Sequence, residues 1–275
     1  MKLNKLFLSI FPVSFLLLLT GCSHTPTVES KLDEYVKALV DMGQFSGSVL
    51  VAKDGKILLC KGYGMANYEL DVPNMPQTKF RLGSITKQFT AMAIMQLQER
   101  GLLSVTDKLS KYIPDYPHGD EITIHHLLTH TSGIVAKISE CNDEKIKPHT
   151  IQQVIALFKN KPLDFKPGEK YSYSNAGYIV LSYIIEKASG KKYEEFLREY
   201  VFMPLGMNSS GYDQASLIIK KRASGYNNNG DELVNASCIL VSFFAGAGCL
   251  YSTIEDFYIG GTKHFTQKHC CQKLF

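Results

Sequence analysis

Apolar residues at Leu32, Tyr35, Val36, Leu39 and Val40 recur with the spacing of one helical face, which predicts a helix over 31–42. The next two apolar runs, 47–52 and 56–60, flank Asp54-Gly55. Asp-Gly between two β-rich runs predicts a hairpin. A longer helix is predicted over 85–100, stopped by Gly101. Its apolar residues Phe89, Ala91, Met92, Ala93, Ile94, Met95 and Leu97 cover more than one stripe, the pattern of a helix at the centre of its domain. Further helices are predicted at 151–159, 176–188 and 193–201, with Gly190 and Pro204 as punctuation. A helix, a strand pair and then a mostly helical middle predict a mixed α/β (α+β) fold. No repeat is present.

The start of the chain breaks this pattern. Lys2 and Lys5 precede an uncharged apolar stretch, 6–19, that ends in Leu19-Thr20-Gly21-Cys22. A positive start, an apolar core and a small residue before the cut describe an export signal. The stretch is shorter than the roughly 20 residues of a spanning helix. Its ending resembles the bacterial lipobox, in which the cysteine becomes the acylated first residue of the mature protein. The expectation is therefore a signal peptide over 1–21, lipidation at Cys22 and a tether over 22–30. Several acyl chains on one terminus anchor stably, so the chain is expected on the extracytoplasmic face of a bacterial cell membrane.

Composition changes the picture little. The chain is 45% hydrophobic and 20% charged, as globular proteins are. Its net charge of +4 is spread out with no basic run, which excludes nucleic acid as a partner. Beyond Cys22, the cysteines Cys60, Cys141, Cys238, Cys249, Cys270 and Cys271 show no CxxC pairs and no metal-ligand rhythm with the histidines. Free buried thiols, no metal and no cofactor are expected.

Chemistry enters at Ser84-Ile85-Thr86-Lys87. Three residues apart on a helix, hydroxyl and amine lie on one face of the first turn. A serine hydroxyl needs a neighbouring base to become a nucleophile, and a buried lysine can be that base because burial disfavours its charge. The helix N-terminus suits the anionic intermediate of acyl transfer. Taken alone the pattern is weak, since ordinary residue frequencies give about one Ser-x-x-Lys by chance in a chain this long.

Its surroundings are specific. The serine stands in Phe80-Arg81-Leu82-Gly83-Ser84-Ile85-Thr86-Lys87-Gln88. Thr123-Ile124-His125-His126-Leu127-Leu128-Thr129-His130-Thr131-Ser132-Gly133 follows, and then Pro167-Gly168-Glu169-Lys170-Tyr171-Ser172-Tyr173-Ser174-Asn175. These stretches in this order, with Pro204-Leu205-Gly206-Met207 and Gly246-Ala247-Gly248-Cys249-Leu250-Tyr251-Ser252-Thr253, closely resemble the serine β-lactamase and penicillin-binding protein-like family. The likeness is to its class C β-lactamase, D-alanyl carboxypeptidase and esterase type, and runs from about residue 32 to Phe257.

The resemblance implies a β-lactamase/transpeptidase-like fold: an antiparallel sheet flanked by helices, plus a helical domain, with the site between them. It implies acyl-enzyme formation at Ser84, with Lys87 holding or accepting the serine proton. Tyr173 matches the family's Tyr-x-Asn tyrosine and shares the proton with the lysine. Asn175 orients the substrate amide and the lysine. The alternative for Tyr173 and Asn175 is a capped loop before a helix, since Asn is a good cap. His125, His126 and His130 invite a Ser-His triad reading, but the resemblance gives that stretch packing or capping roles beneath the site. Cys249 stands where the family usually has glycine, which bears on the geometry of that turn. The expected substrate is a peptidoglycan D-alanyl stem, a β-lactam or a small ester, and a monomer is expected.

The end of the chain departs from the family. Its third motif, Lys-Thr-Gly or His-x-Gly, has no match after Asp256-Phe257-Tyr258, and Gly261-Thr262-Lys263 is that order reversed. One permitted nucleotide spelling of 259–275, read in a shifted frame, gives Arg-Trp-Asp-Lys-Ala-Phe-Tyr, which resembles how family members continue. The expectation is an incomplete serine hydrolase domain over 31–258, lacking the C-terminal strands, and an aberrant, frameshifted tail over 259–275. A two-stranded sheet is marginal alone; the resemblance implies that the third-motif strand supplies the second oxyanion-hole amide, and losing such a donor costs roughly 100- to 1000-fold in turnover. Poor stability and weak or absent activity are therefore expected; the alternative function is an inactive truncated product or a penicillin-binding sensor without turnover.

Overall fold

The computed structural model describes residues 26–135, 149–230, 232–237 and 240–266. The export signal, Cys22, Cys141, Cys238, Cys270 and Cys271 lie outside them. No helix among the described residues is long and apolar enough to cross a membrane.

The first helix, α1 (Val28–Asp41), begins earlier than its apolar stripe because Thr27 caps it, accepting from the Ser30 amide at 3.1 Å. Within it only Val36 is fully buried. Its Asp33 accepts from Lys61 Nζ at 2.8 Å and from the Tyr63 hydroxyl at 2.7 Å, which fastens the helix to the hairpin behind it. That hairpin is β1 (Gly47–Lys53) and β2 (Lys56–Tyr63), antiparallel, with Lys53 opposite Lys56. Both turn residues, Asp54 and Gly55, take positive φ (51° and 76°), as a type I′ turn requires.

Short strands follow. A small antiparallel pair is formed by β3 (Met65–Asn67) and β4 (Val72–Pro73). Next comes β5 (Phe80–Arg81), and a 3₁₀ turn over Gly83–Ile85 leads into α2 (Thr86–Glu99). Gly101 ends this helix at φ 70°, a left-handed stop that glycine adopts without strain. Beyond it lie α3 (Ile124–Leu128), α4 (Ile151–Ala156), α5 (Asn175–Ser189), α6 (Tyr193–Leu197) and α7 (Met203–Leu205). A π turn over Arg198–Phe202 joins the last two.

The core is helical and α5 is its centre. Ala176, Ile179, Val180, Leu181, Ile184 and Ile185 are wholly buried, and α2, α3, α4 and α6 all pack on this helix. Each large apolar side chain so buried contributes about 1.5–3 kcal/mol. Helix α2, expected at the centre, is less enclosed: its buried face carries Thr86, Lys87 and Thr90 alongside Phe89, Ala93, Ile94 and Leu97. These polar groups are satisfied rather than stranded. Thr90 Oγ1 lies 2.7 Å from the Tyr193 hydroxyl and 2.7 Å from the Gly246 carbonyl oxygen.

The remaining strands are β6 (Gly211–Tyr212), β7 (Tyr226–Asn228), β8 (Leu233–Asn235) and β9 (Leu250–Ser252). β7 and β8 pair with each other, while β9 sits between β5 and β6 in a three-stranded antiparallel sheet. This small sheet delivers the chain to the site, because Arg81 pairs with Tyr251 just before the turn that carries Ser84. The last helix, α8 (Ile254–Thr266), packs against β1.

Candidate active site

Ser84 occupies the 3₁₀ turn at the head of α2 and is solvent-exposed. The two cap positions here are the apolar Leu82 and Ile85, and the Ser84 hydroxyl meets side chains of the site. One turn on, Lys87 is only 7% exposed. Its Nζ donates to Asn175 Oδ1 at 2.8 Å, to the Ala247 carbonyl at 2.8 Å and to Ser84 Oγ at 3.3 Å. The ammonium also lies over the rings of Tyr173 (4.7 Å) and Tyr178 (5.5 Å). Burial pushes the Lys87 pKa below its ordinary value, and the hydrogen bond and charge interaction with Tyr173 oppose that shift.

The third wall is the segment ahead of α5. Tyr173, 42% exposed, donates its hydroxyl to Ser84 Oγ at 2.7 Å. The cap of α5 is Ser174, whose Oγ accepts from the Gly177 amide at 3.1 Å. Asn175 is therefore not the cap, and its side chain is free to hold Lys87. The structure thus brings Ser84, Lys87, Tyr173 and Asn175 into one cluster.

Two further groups belong to this cluster, the first of them not foreseen. The Ala247 carbonyl reaches Lys87 because Gly246 (φ 73°) crosses α5 closely; a Cβ there would lie 2.4 Å from the Tyr178 carbonyl oxygen. The other is His130, which the sequence placed beneath the site. Its ring stacks on that of Tyr173 with centroids 4.6 Å apart. His126 does take the expected capping role: Thr123 and His126 close a capping box at the start of α3. Cys249 leaves its turn undisturbed. It is fully buried, is absent from the positive-φ residues, and its carbonyl accepts from the Asp213 amide at 2.8 Å. Among the described residues, no group of three or more His, Cys, Asp or Glu could hold a metal ion.

Chemically, the cluster offers an accessible hydroxyl flanked by two groups that can exchange its proton, at the positive end of a helix. Asn175 and the Ala247 carbonyl fix the amine without neutralising it, since neither carries a charge.

Comparison with known proteins agrees with this arrangement. The family model described as Beta-lactamase matches residues 32–261. The PbpX protein of Bacillus subtilis (strain 168) is 34% identical over 228 residues, covering 83% of this chain and 56% of the relative. Two solved structures are similar. A penicillin binding protein from Bacillus halodurans has a TM-score of 0.76 at 32% identity, over 84% of this chain and 72% of that one. A class C beta lactamase has a TM-score of 0.72 at 28% identity, over 86% and 65%. The chain spans about half the length of the curated relatives it matches. With the family model matched over most of the chain and the Ser-x-x-Lys and Tyr-x-Asn residues in contact, this chain belongs to the beta-lactamase family, in the β-lactamase/transpeptidase fold.

Proposed function

We propose that this chain is a serine hydrolase that forms an acyl-enzyme at Ser84 with a D-alanyl peptide, a β-lactam or an ester. The observation that carries the reading is the exposed Ser84 hydroxyl held 2.7 Å from Tyr173 and 3.3 Å from Lys87. In the forward step Ser84 Oγ bonds to the substrate carbonyl carbon and its proton passes to the Tyr173–Lys87 pair. The carbonyl oxygen takes the electron pair, at the positive end of α2. Collapse expels the amine or alcohol, which receives that proton through Tyr173, and water then releases the acid by the reverse transfers. Asn175 holds the lysine and orients the substrate amide. No cofactor takes part in these steps.

An acylated Cys22 on the outer face of a bacterial membrane would place the site beside peptidoglycan stems, which favours D-alanyl peptides and β-lactams as substrates. A second reading, acylation without turnover, is suggested by relatives named as penicillin-binding proteins. Burst kinetics with a chromogenic cephalosporin separate the two. A burst followed by steady release supports the hydrolase, a burst alone supports a penicillin-binding role, and no burst from folded protein removes both.

A further inference from the structure

His130 holds the chain on either side of Tyr173. The Ser172 amide donates to the His130 carbonyl at 2.9 Å, and the Ser174 amide donates to His130 Nδ1 at 3.0 Å. Between these bonds the imidazole lies against the Tyr173 ring, 4.6 Å away and tilted by 33°. Tyr178 backs it on the other side at 5.0 Å, and Tyr171 meets it edge-on at 5.9 Å. His130 reaches this position with φ 59°, a left-handed conformation that disfavours residues with a Cβ. Strain of this kind clusters where a site needs one geometry and the surrounding contacts enforce it.

We propose that His130 is a positioning residue that clamps Tyr173 over Ser84. The proposal rests on the reading of Ser84 as the acylated nucleophile. The Ser174 bond holds the peptide unit that follows Tyr173, the Ser172 bond holds the unit that ends at Ser172, and the stack limits the tyrosine's remaining side-chain torsions. The phenol is then presented at its 2.7 Å contact with Ser84 Oγ. An Nδ1 that accepts a hydrogen bond belongs to the neutral ring with its proton on Nε2. Burial, with the Lys87 charge adding to it, holds His130 below its ordinary pKa, which preserves this acceptor at neutral pH. The titratable groups facing the ring or carried on the helix before it are Lys87 on α2, Tyr178 on α5, Tyr171 and Tyr173 on the clamped segment, and His125 and His126 on α3. A His-to-Ser proton path is not part of the proposal: the ring's contact is with the tyrosine, and Tyr173 touches the serine.

A misplacement of about 1 Å in a catalytic constellation can cost about 100-fold in rate. The test compares His130→Ala with His130→Asn in the full chain. Asparagine tolerates positive φ and keeps an acceptor near the Nδ1 position. Two quantities are read: hydrogen exchange of the Ser174 amide, and the limiting rate and apparent affinity of acylation by a fluorescent penicillin. Expected for His130→Ala is faster Ser174 exchange and a limiting rate lower by about 10- to 100-fold, with apparent affinity little changed. His130→Asn is expected to recover both. Wild-type exchange and rate in the alanine variant, or no recovery by asparagine, would overturn the clamp. Should His130→Ala not fold, the asparagine variant decides alone. Should the wild type not be acylated at all, the reading of Ser84 fails, and Ser174 exchange still decides whether His130 holds the tyrosine segment.

Discussion

No covalent labelling by a penicillin is expected of Ser84→Ala, and Lys87→Ala is expected to acylate about 100- to 10,000-fold more slowly than the wild type. The two effects differ in kind. Without Ser84 there is no oxygen to bond to the carbonyl carbon. Without Lys87 the oxygen remains, and so does Tyr173 at 2.7 Å. What is lost is the buried amine that Asn175 and the Ala247 carbonyl hold within 2.8 Å of each. The pH dependence has a definite sign. Burial holds the Lys87 pKa below its usual 10.5, so its neutral, proton-accepting form appears at lower pH than for a free lysine. Acylation should rise with pH along a limb set below 10.5, and Lys87→Ala should lack that limb. Folding stability should move the same way. Between the folded and unfolded pKa values of Lys87 the unfolded chain binds more protons, so stability increases with pH there. A pH profile of labelling and a matching set of denaturant midpoints check both statements.

Asp213→Ala is expected to destabilise the fold by about 3 kcal/mol, the low end of the range for breaking a buried ion pair. The side chain of Asp213 is 1% exposed. Its carboxylate accepts from Arg81 Nε at 2.6 Å and from Arg222 Nη1 at 2.5 Å, so the cost of burying it is offset by two charge-assisted bonds. Removing it leaves two guanidinium groups facing each other. Both are partly solvated, at 45% and 29% exposed, which keeps the loss near the lower bound. The effect should also reach the chemistry. Arg81 lies on β5 just before the Ser84 turn, and the Asp213 amide is tied to β9 through the Cys249 carbonyl neighbouring Leu250. A lower urea midpoint with an unchanged slope is the expected signature. An unchanged midpoint would show that the three charges contribute nothing net.

The sequence exposed those parts of the fold whose physics is local. Helices α2 and α5 were readable because long apolar runs end at Gly101 and Gly190, and the first hairpin because Asp54-Gly55 accepts positive φ at both positions. The sheet β5–β9–β6 was not readable. Its strands have two or three residues each, too few for a period of two to register, and its order depends on contacts far apart in sequence. The π turn after α6 has no sequence signature either. At the candidate site, Ser84 and Lys87 were named from side-chain type and spacing, and Tyr173 and Asn175 from the resemblance. The Ala247 carbonyl could not be found that way, because any residue supplies one; only the small neighbours of Gly246-Ala247-Gly248 hinted at a close approach. His130 was given a packing or capping role beneath the site, and the particular ring it packs on, Tyr173, was not readable. Its role depends on a positive φ that a histidine does not advertise, and on amides whose partners appear only in three dimensions. The second tie, between Asp213 and Arg81, spans 132 residues of sequence and was equally invisible.

The central claim is that Ser84 is the nucleophile, and peptide mapping of the penicillin-treated chain by mass spectrometry tests it most directly. The predicted result is one adduct of the mass of the intact penicillin, located on the peptide containing Ser84 and absent after Ser84→Ala. An adduct on any other residue, or none on protein that spectroscopy shows to be folded, would contradict it.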